Sequence, residues 1–186
     1  MARKRSRPST ESQVDIIPLG RVDALTVSIV AANLQTVIGL NAGILPPLPD
    51  PGYAYLPQRG QYTAGRILKS LESLAVGARF KLGVVEFDLC TPILGFVFGE
   101  AQLGGRAAVI SLYRLGDKDP ERMYLRAAKI GLHETGHLLG IGHCRAPDCL
   151  MNFSSNIEKL DSLPLRFCSA CEYEITRTLR HFFGGS

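Results

Sequence analysis

Between Asp119 and Cys144 the chain dictates one long helix followed by an abrupt exit, and the rest of the fold must be arranged around it. Asp119-Pro120-Glu121 is a strong start: Asp can cap, Pro suits the first turn, and Glu favours the positive end of the helix dipole. The helix is predicted to reach about Leu139, where Gly140 tolerates the positive φ of a sharp exit. At about 100° per residue, Tyr124, Ala127, Ala128, Gly131, Thr135, Leu138 and Leu139 share one side, small and apolar enough to press into a core. His133 and His137, four apart, project together from the other side, about one turn from each other. The helix is thus predicted to pack against a core while offering its histidines to a cleft.

Beyond Gly140, His143 can swing back as a third ligand. Three neutral imidazoles leave the fourth position of a tetrahedral zinc to water, the arrangement of a catalytic site. Glu134, directly after the first histidine, is placed to take a proton from that water and pass it to a departing amine, so peptide hydrolysis is the predicted reaction. The plainer reading is a polar helix end with no metal, and the added fit of Gly140 and His143 weighs against it. His181 has no such context and receives no role.

Cys144-x4-Cys149 and Cys168-x2-Cys171 form two ligand pairs separated by a loop, the layout of a closed four-thiolate zinc site that holds structure. The second pair would open a last helix over Cys168–Phe183, where the dipole favours thiolate over thiol. The competing reading is two buried thiols and a redox pair at Cys168 and Cys171, a pair that belongs near an N-terminal βαβ unit. Cys90 is read as a small core hydrophobe. The cofactors expected are two zinc ions per chain, one catalytic and one structural.

A length of 186 residues suits one well-cored domain, expected over 15–186 with a structural zinc subsite at 144–171. Residues 1–14 read as a basic, disordered arm. Of 21 basic and 17 acidic residues in all, that arm holds 4 and 1, so the body is nearly neutral and no nucleic-acid partner is expected. No secretory signal pattern and no membrane span of about 18 apolar residues are read, which predicts a cytoplasmic protein. A monomer acting on peptides is expected. Ala24–Val30 alternates and is predicted as a strand, followed by a short helix over Ala31–Ile38, a Pro-rich surface connection over Pro46–Pro57 and a helix over Gln61–Ala75. Phe80–Leu89 and Ala107–Tyr113 are predicted strands, with Gly95–Ala101 a shorter one between them. Strands alternating with helices indicate an α/β sheet.

The run His133-Glu134-x-x-His137-x-x-Gly140-x-x-His143 resembles the metzincin clan of zinc peptidases. Its continuation, Cys144-x4-Cys149-x-Met151 and then Cys168-x2-Cys171, is similar to the archaemetzincin branch. The resemblance implies an α/β fold (α+β by some schemes): a mixed five-stranded sheet with an antiparallel edge strand, an active-site helix and a C-terminal helix. It implies catalytic zinc on His133, His137 and His143, Glu134 as general base, Met151 as the Met-turn methionine and a second zinc on the four cysteines. Gly95, Phe96, Val97, Phe98 and Gly99 would belong to the edge strand that pairs with extended substrate, and Asn152–Ser155 would wall the specificity pocket. Two departures stand out. Sixteen residues separate Met151 from Cys168, one fewer than the family spacing, and Phe153 occupies a position where some metzincins carry a zinc-binding tyrosine. The rival function is a two-zinc interaction module with weak or no catalysis.

Overall fold

In the computed structural model, which describes residues 12–75 and 77–184, the sheet grows outward from a strand that the sequence pattern does not announce. Val14–Pro18 (β1) is buried along its whole length, including Asp15, whose carboxylate accepts hydrogen bonds from the Ser12 hydroxyl at 2.8 Å and the Ala78 N–H at 3.0 Å. The chain continues through α1 (Ala24–Asn33), β2 (Ala42–Ile44), β3 (Tyr55–Leu56), β4 (Gln61–Thr63), α2 (Ala64–Ser73), β5 (Phe80–Val85), β6 (Leu89–Cys90) and β7 (Gly99–Ala101). It ends with β8 (Ala107–Ser111), α3 (Pro120–Leu138), α4 (Ile157–Ser162) and α5 (Ser169–Phe183). The main sheet has the order β2-β1-β5-β8-β7. All pairings are parallel except β7 with β8, so the five-stranded mixed sheet with an antiparallel edge strand is present as expected. The predicted arm over 1–14 falls largely outside the described residues, and its last residue, Val14, opens β1.

Two apolar layers enclose the sheet. On one face α1 and α3 pack over Phe80, Leu82, Val84, Ala108 and Ile110, and this core continues under α4 and α5. On the other face α2 buries Ala64, Ile67, Leu68 and Leu71 against Ile17, Val85 and Val109, beside a small sheet of β3, β4 and β6. α3 approaches α1 closely because Gly131 has no side chain: a Cβ there would lie 2.8 Å from Val30 Cγ1.

Ala24–Val30 is a helix rather than the predicted strand. The β-branched alternation there is real, but Asp23 caps the first turn, accepting from the Thr26 N–H at 2.8 Å and its hydroxyl at 2.6 Å. Thr26, Val27, Val30 and Leu34 then form the buried stripe at helical spacing. The predicted short helix after it is the end of α1 plus one π-helical turn, Leu34–Ile38, closed by Gly39 at φ 83°. The predicted strand Phe80–Leu89 divides into β5 and the start of β6, and Gln61–Thr63 pairs as β4 before α2 begins.

Candidate active site and metal centres

α3 starts where the sequence places it, with Asp119 accepting from the Glu121 N–H at 3.0 Å and Pro120 in the first turn. It ends at Leu138, and Gly140 leaves the helix at φ 86°. That exit brings His143 back beside the helix. The ligand-bearing nitrogens of His133, His137 and His143 all lie within 4.8 Å of one another. His133 and His137 meet Nε2 to Nε2 at 3.1 Å, close to the edge of about 3.4 Å expected of a tetrahedron with metal–nitrogen bonds of about 2.1 Å.

The far side of each helical ring is fixed. His133 Nδ1 faces the Leu150 carbonyl at 2.8 Å and His137 Nδ1 faces the Ile141 carbonyl at 2.7 Å. A carbonyl can only accept, so each Nδ1 carries the proton and each Nε2 presents a lone pair to the shared point. Burial pushes the pKa of all three histidines down, that of His133 to about 4, which keeps the rings neutral and able to ligate at neutral pH. His143 is the most open of the three and is braced by Phe153, edge to face at 5.1 Å. Phe153 therefore braces an imidazole and, having no hydroxyl, offers no ligand atom of its own.

Glu134 is buried beside this point. Burial first, and the charge of Glu100 second, push its carboxyl well above the usual range. A cation among the three imidazoles would oppose both effects and favour the carboxylate. Gly99 makes the arrangement possible: a Cβ on it would stand 2.6 Å from Glu134 Cγ and 2.7 Å from Oε1. Met151 is fully buried beneath α3, and a Cβ on Gly136 would sit 2.5 Å from its sulfur, so helix and Met151 touch through a glycine gap.

The second cluster joins Cys144, Cys149, Cys168 and Cys171, whose sulfurs also lie within 4.8 Å of one another. The Cys144 and Cys168 sulfurs are 3.8 Å apart, the edge of about 3.8 Å that metal–sulfur bonds of about 2.3 Å impose on a tetrahedron. The Ala146 and Cys168 N–H groups donate to the sulfurs of Cys144 and Cys149. At the start of α5, the Cys171 N–H lowers the Cys168 thiol to about 7, while burial raises Cys149 and Cys171. Four converging sulfurs with one easily ionised member are suited to a soft cation.

Both the histidines and Glu134 open onto a cavity of about 490 Å³, also lined by Leu94–Ala101, Lys129, Ile130, Leu150, Phe153–Ser155, Leu160 and Leu163. Gly95, Phe96, Val97, Phe98 and Gly99 all line it, but of these only Gly99 belongs to the edge strand β7, where regular pairing with β8 begins. The preceding segment bridges back to β6, the Val97 N–H donating to the Leu89 carbonyl at 3.0 Å, and side chains hold the rest: Arg59 donates to the Thr91, Leu94 and Gly95 carbonyls, and Gln61 donates to Gly95 and Asp88. Glu100, Lys129, Leu160 and Leu163 line the cavity without having been singled out from the sequence. Of these, only Lys129 carried a signal, its spacing of four residues before His133.

A family model described as Peptidase family M54 matches residues 38–177. The chain belongs to peptidase family M54. A relative from Methanopyrus kandleri named Archaemetzincin is 41% identical over 130 residues, covering 70% of this chain and 74% of its own. Another of that name from Methanocaldococcus jannaschii is 37% identical over 165 residues, covering 86% and 90%. The crystal structure of the M. kandleri archaemetzincin superposes with a TM-score of 0.85 at 32% identity, over 94% of this chain and 98% of the other. A zinc-dependent peptidase from Methanocorpusculum labreanum superposes with a TM-score of 0.79 at 26% identity, over 87% and 99%. As a member of M54 the chain is a zinc metallopeptidase, a hydrolase whose substrates are peptides. Among the described residues, no helix of this M54 chain is long and apolar enough to cross a membrane.

Proposed function

We propose that this M54 chain hydrolyses peptide bonds of peptides and small or unfolded proteins, with catalytic zinc on His133, His137 and His143 and Glu134 as general base. One observation carries the reading: three imidazoles, two of them oriented by carbonyls and the third braced by Phe153, converge beside a buried glutamate on one open cavity. Zinc bound there supplies a water with a pKa near 7 and polarises the scissile carbonyl. Glu134 takes the proton of the attacking water and delivers it to the departing amine. The ladder bonds of Phe98 with Ser111 and Gln102 with Ala107 leave Gly99 and Ala101 with backbone groups turned away from β8. An extended peptide would pair there, aligned by its backbone. Met151 acts as a floor under His133 and His137.

The four cysteines would hold a second, structural zinc that ties the 144–151 segment to α5, within one catalytic domain over 15–186. All five cysteines are free, and thiolate ligands fit a reducing compartment such as the cytoplasm. A mixed peptide library incubated with the zinc-loaded wild type beside Glu134→Gln tests the reading. Cleavage by the wild type alone is expected; equal cleavage by both, or by neither, would overturn it.

A further inference from the structure

The cavity contains a buried cation for which the hydrolysis above has no use. Lys129 lies on α3 one turn before His133, on the same stripe, and is 3% exposed. Its Nζ donates to the Leu160 carbonyl at 3.0 Å and the Asp161 carbonyl at 3.1 Å. An ammonium has three N–H donors, so one remains. Among the described residues no carboxylate lies within 4.0 Å of it: Asp161 is taken by both arms of Arg126, and Asp117 pairs with Arg126 and Arg122. The surrounding wall is apolar, formed by Ile130, Leu150, Leu160 and Leu163. A strap from α3 to the end of α4 would explain the two carbonyl bonds. It does not explain why Lys129 lines an open cavity, where a buried charge whose nearest carboxylate is already engaged by Arg126 is costly.

We propose that Lys129 is a specificity residue, and that its pocket accepts a carboxylate carried by the substrate residue adjoining the scissile bond. The rise of about 6 Å from Lys129 to His133 along the helix matches, roughly, the distance from a scissile carbonyl to the end of a neighbouring side chain. Placement beside a scissile bond rests on the proposed hydrolysis; the pocket itself does not. Two sources present this chemistry: an Asp or Glu side chain, or the terminal carboxylate of the peptide. Apolar walls strengthen the ion pair by excluding water, and the remaining N–H provides the charge-assisted hydrogen bond.

The test uses the full chain loaded with zinc and amidated peptides that differ only in Glu, Gln or Leu, placed in turn on each side of the cleaved bond. Matching peptides with a free carboxylate next to that bond form a second arm. The expected result is a kcat/KM preference of roughly tenfold to hundredfold for the carboxylate over its amide, in the side-chain arm or the terminal arm. That preference should fall to within about twofold in Lys129→Met. If Lys129→Met does not fold, judged by melting temperature and zinc content, the wild-type Glu-to-Gln ratio decides by itself. Titration of the wild type with acetyl-Glu-amide and acetyl-Gln-amide, followed by the NMR signal of the lysine ε-methylene, reads the pocket without turnover. Tighter binding of the Glu compound with no peptide cleaved would leave the pocket standing and remove the hydrolysis. Cleavage with no carboxylate preference in either arm, or a preference unchanged in Lys129→Met, would overturn the proposal.

Discussion

Gly99 shows how one missing side chain shapes the site. Because a Cβ there would overlap Glu134, Gly99→Ala must displace the carboxylate or the edge strand by several tenths of an ångström. Misplacing a catalytic group on that scale costs up to about a hundredfold in rate, so kcat should fall by tenfold or more while zinc content is kept. Turnover assays with metal analysis on the same sample check this; full activity would show that Glu134 has slack. Glu134→Gln should lose about 10² to 10⁴ in kcat and still bind zinc, since it removes the proton acceptor and no imidazole. The histidines, Glu134 and the four cysteines were legible in the sequence because helical spacing and ligand pairs fix them locally. Lys129 and Glu100 were not: a lysine on a helix and a glutamate on a strand ordinarily face water, and only the packing of α4 buries Lys129 and only the approach of β7 to α3 half-buries Glu100.

At the scale of elements, the final cysteine of the histidine run couples the two centres. Cys144 follows His143 directly, and its N–H donates to the Met151 carbonyl at 2.8 Å, so on the proposed reading a metal on the cysteines would hold the return of the third imidazole. Cys171→Ser should release the structural zinc and weaken the catalytic one as well, leaving fewer than about one zinc per chain and a lower melting temperature. Unchanged turnover in that variant would separate the two sites. Elements whose ends carry caps or glycines, such as α3 and the exit at Gly140, were readable from the sequence. β1 was not, because a buried Asp15 and a terminal Pro18 break its apolar run, and α1 was misread because β-branched residues suit strands until Asp23 caps them.

For the whole molecule, Arg126 pins the cleft to the rest of the fold. It bonds the Leu115 and Gly116 carbonyls and both Asp161 oxygens, joining α3, the segment before it and α4. Arg126→Leu leaves Asp161 and the Leu115 and Gly116 carbonyls without their donor, while Asp117 keeps Arg122, and should cost about 1–3 kcal/mol, seen in denaturant unfolding. The hydrogen bonds from Arg126 hold the Asp161 pKa below its ordinary 3.8. A depressed carboxylate contributes stability that is complete well above 3.8 and is lost as pH falls through the folded-state value. The melting temperature gap between wild type and Asp161→Asn should therefore be full at neutral pH, narrow below 3.8 and close at lower pH; a gap independent of pH would exclude the ion pair as its source. The central claim, an open catalytic centre beside a closed structural one, is tested most directly by timed chelation with zinc and peptide hydrolysis measured on the same aliquots. Two zinc ions per chain are expected at the start, activity should disappear with the first, and one equivalent of zinc should restore it. Activity that survives loss of the first zinc, or a chain that never holds more than one, would contradict the account.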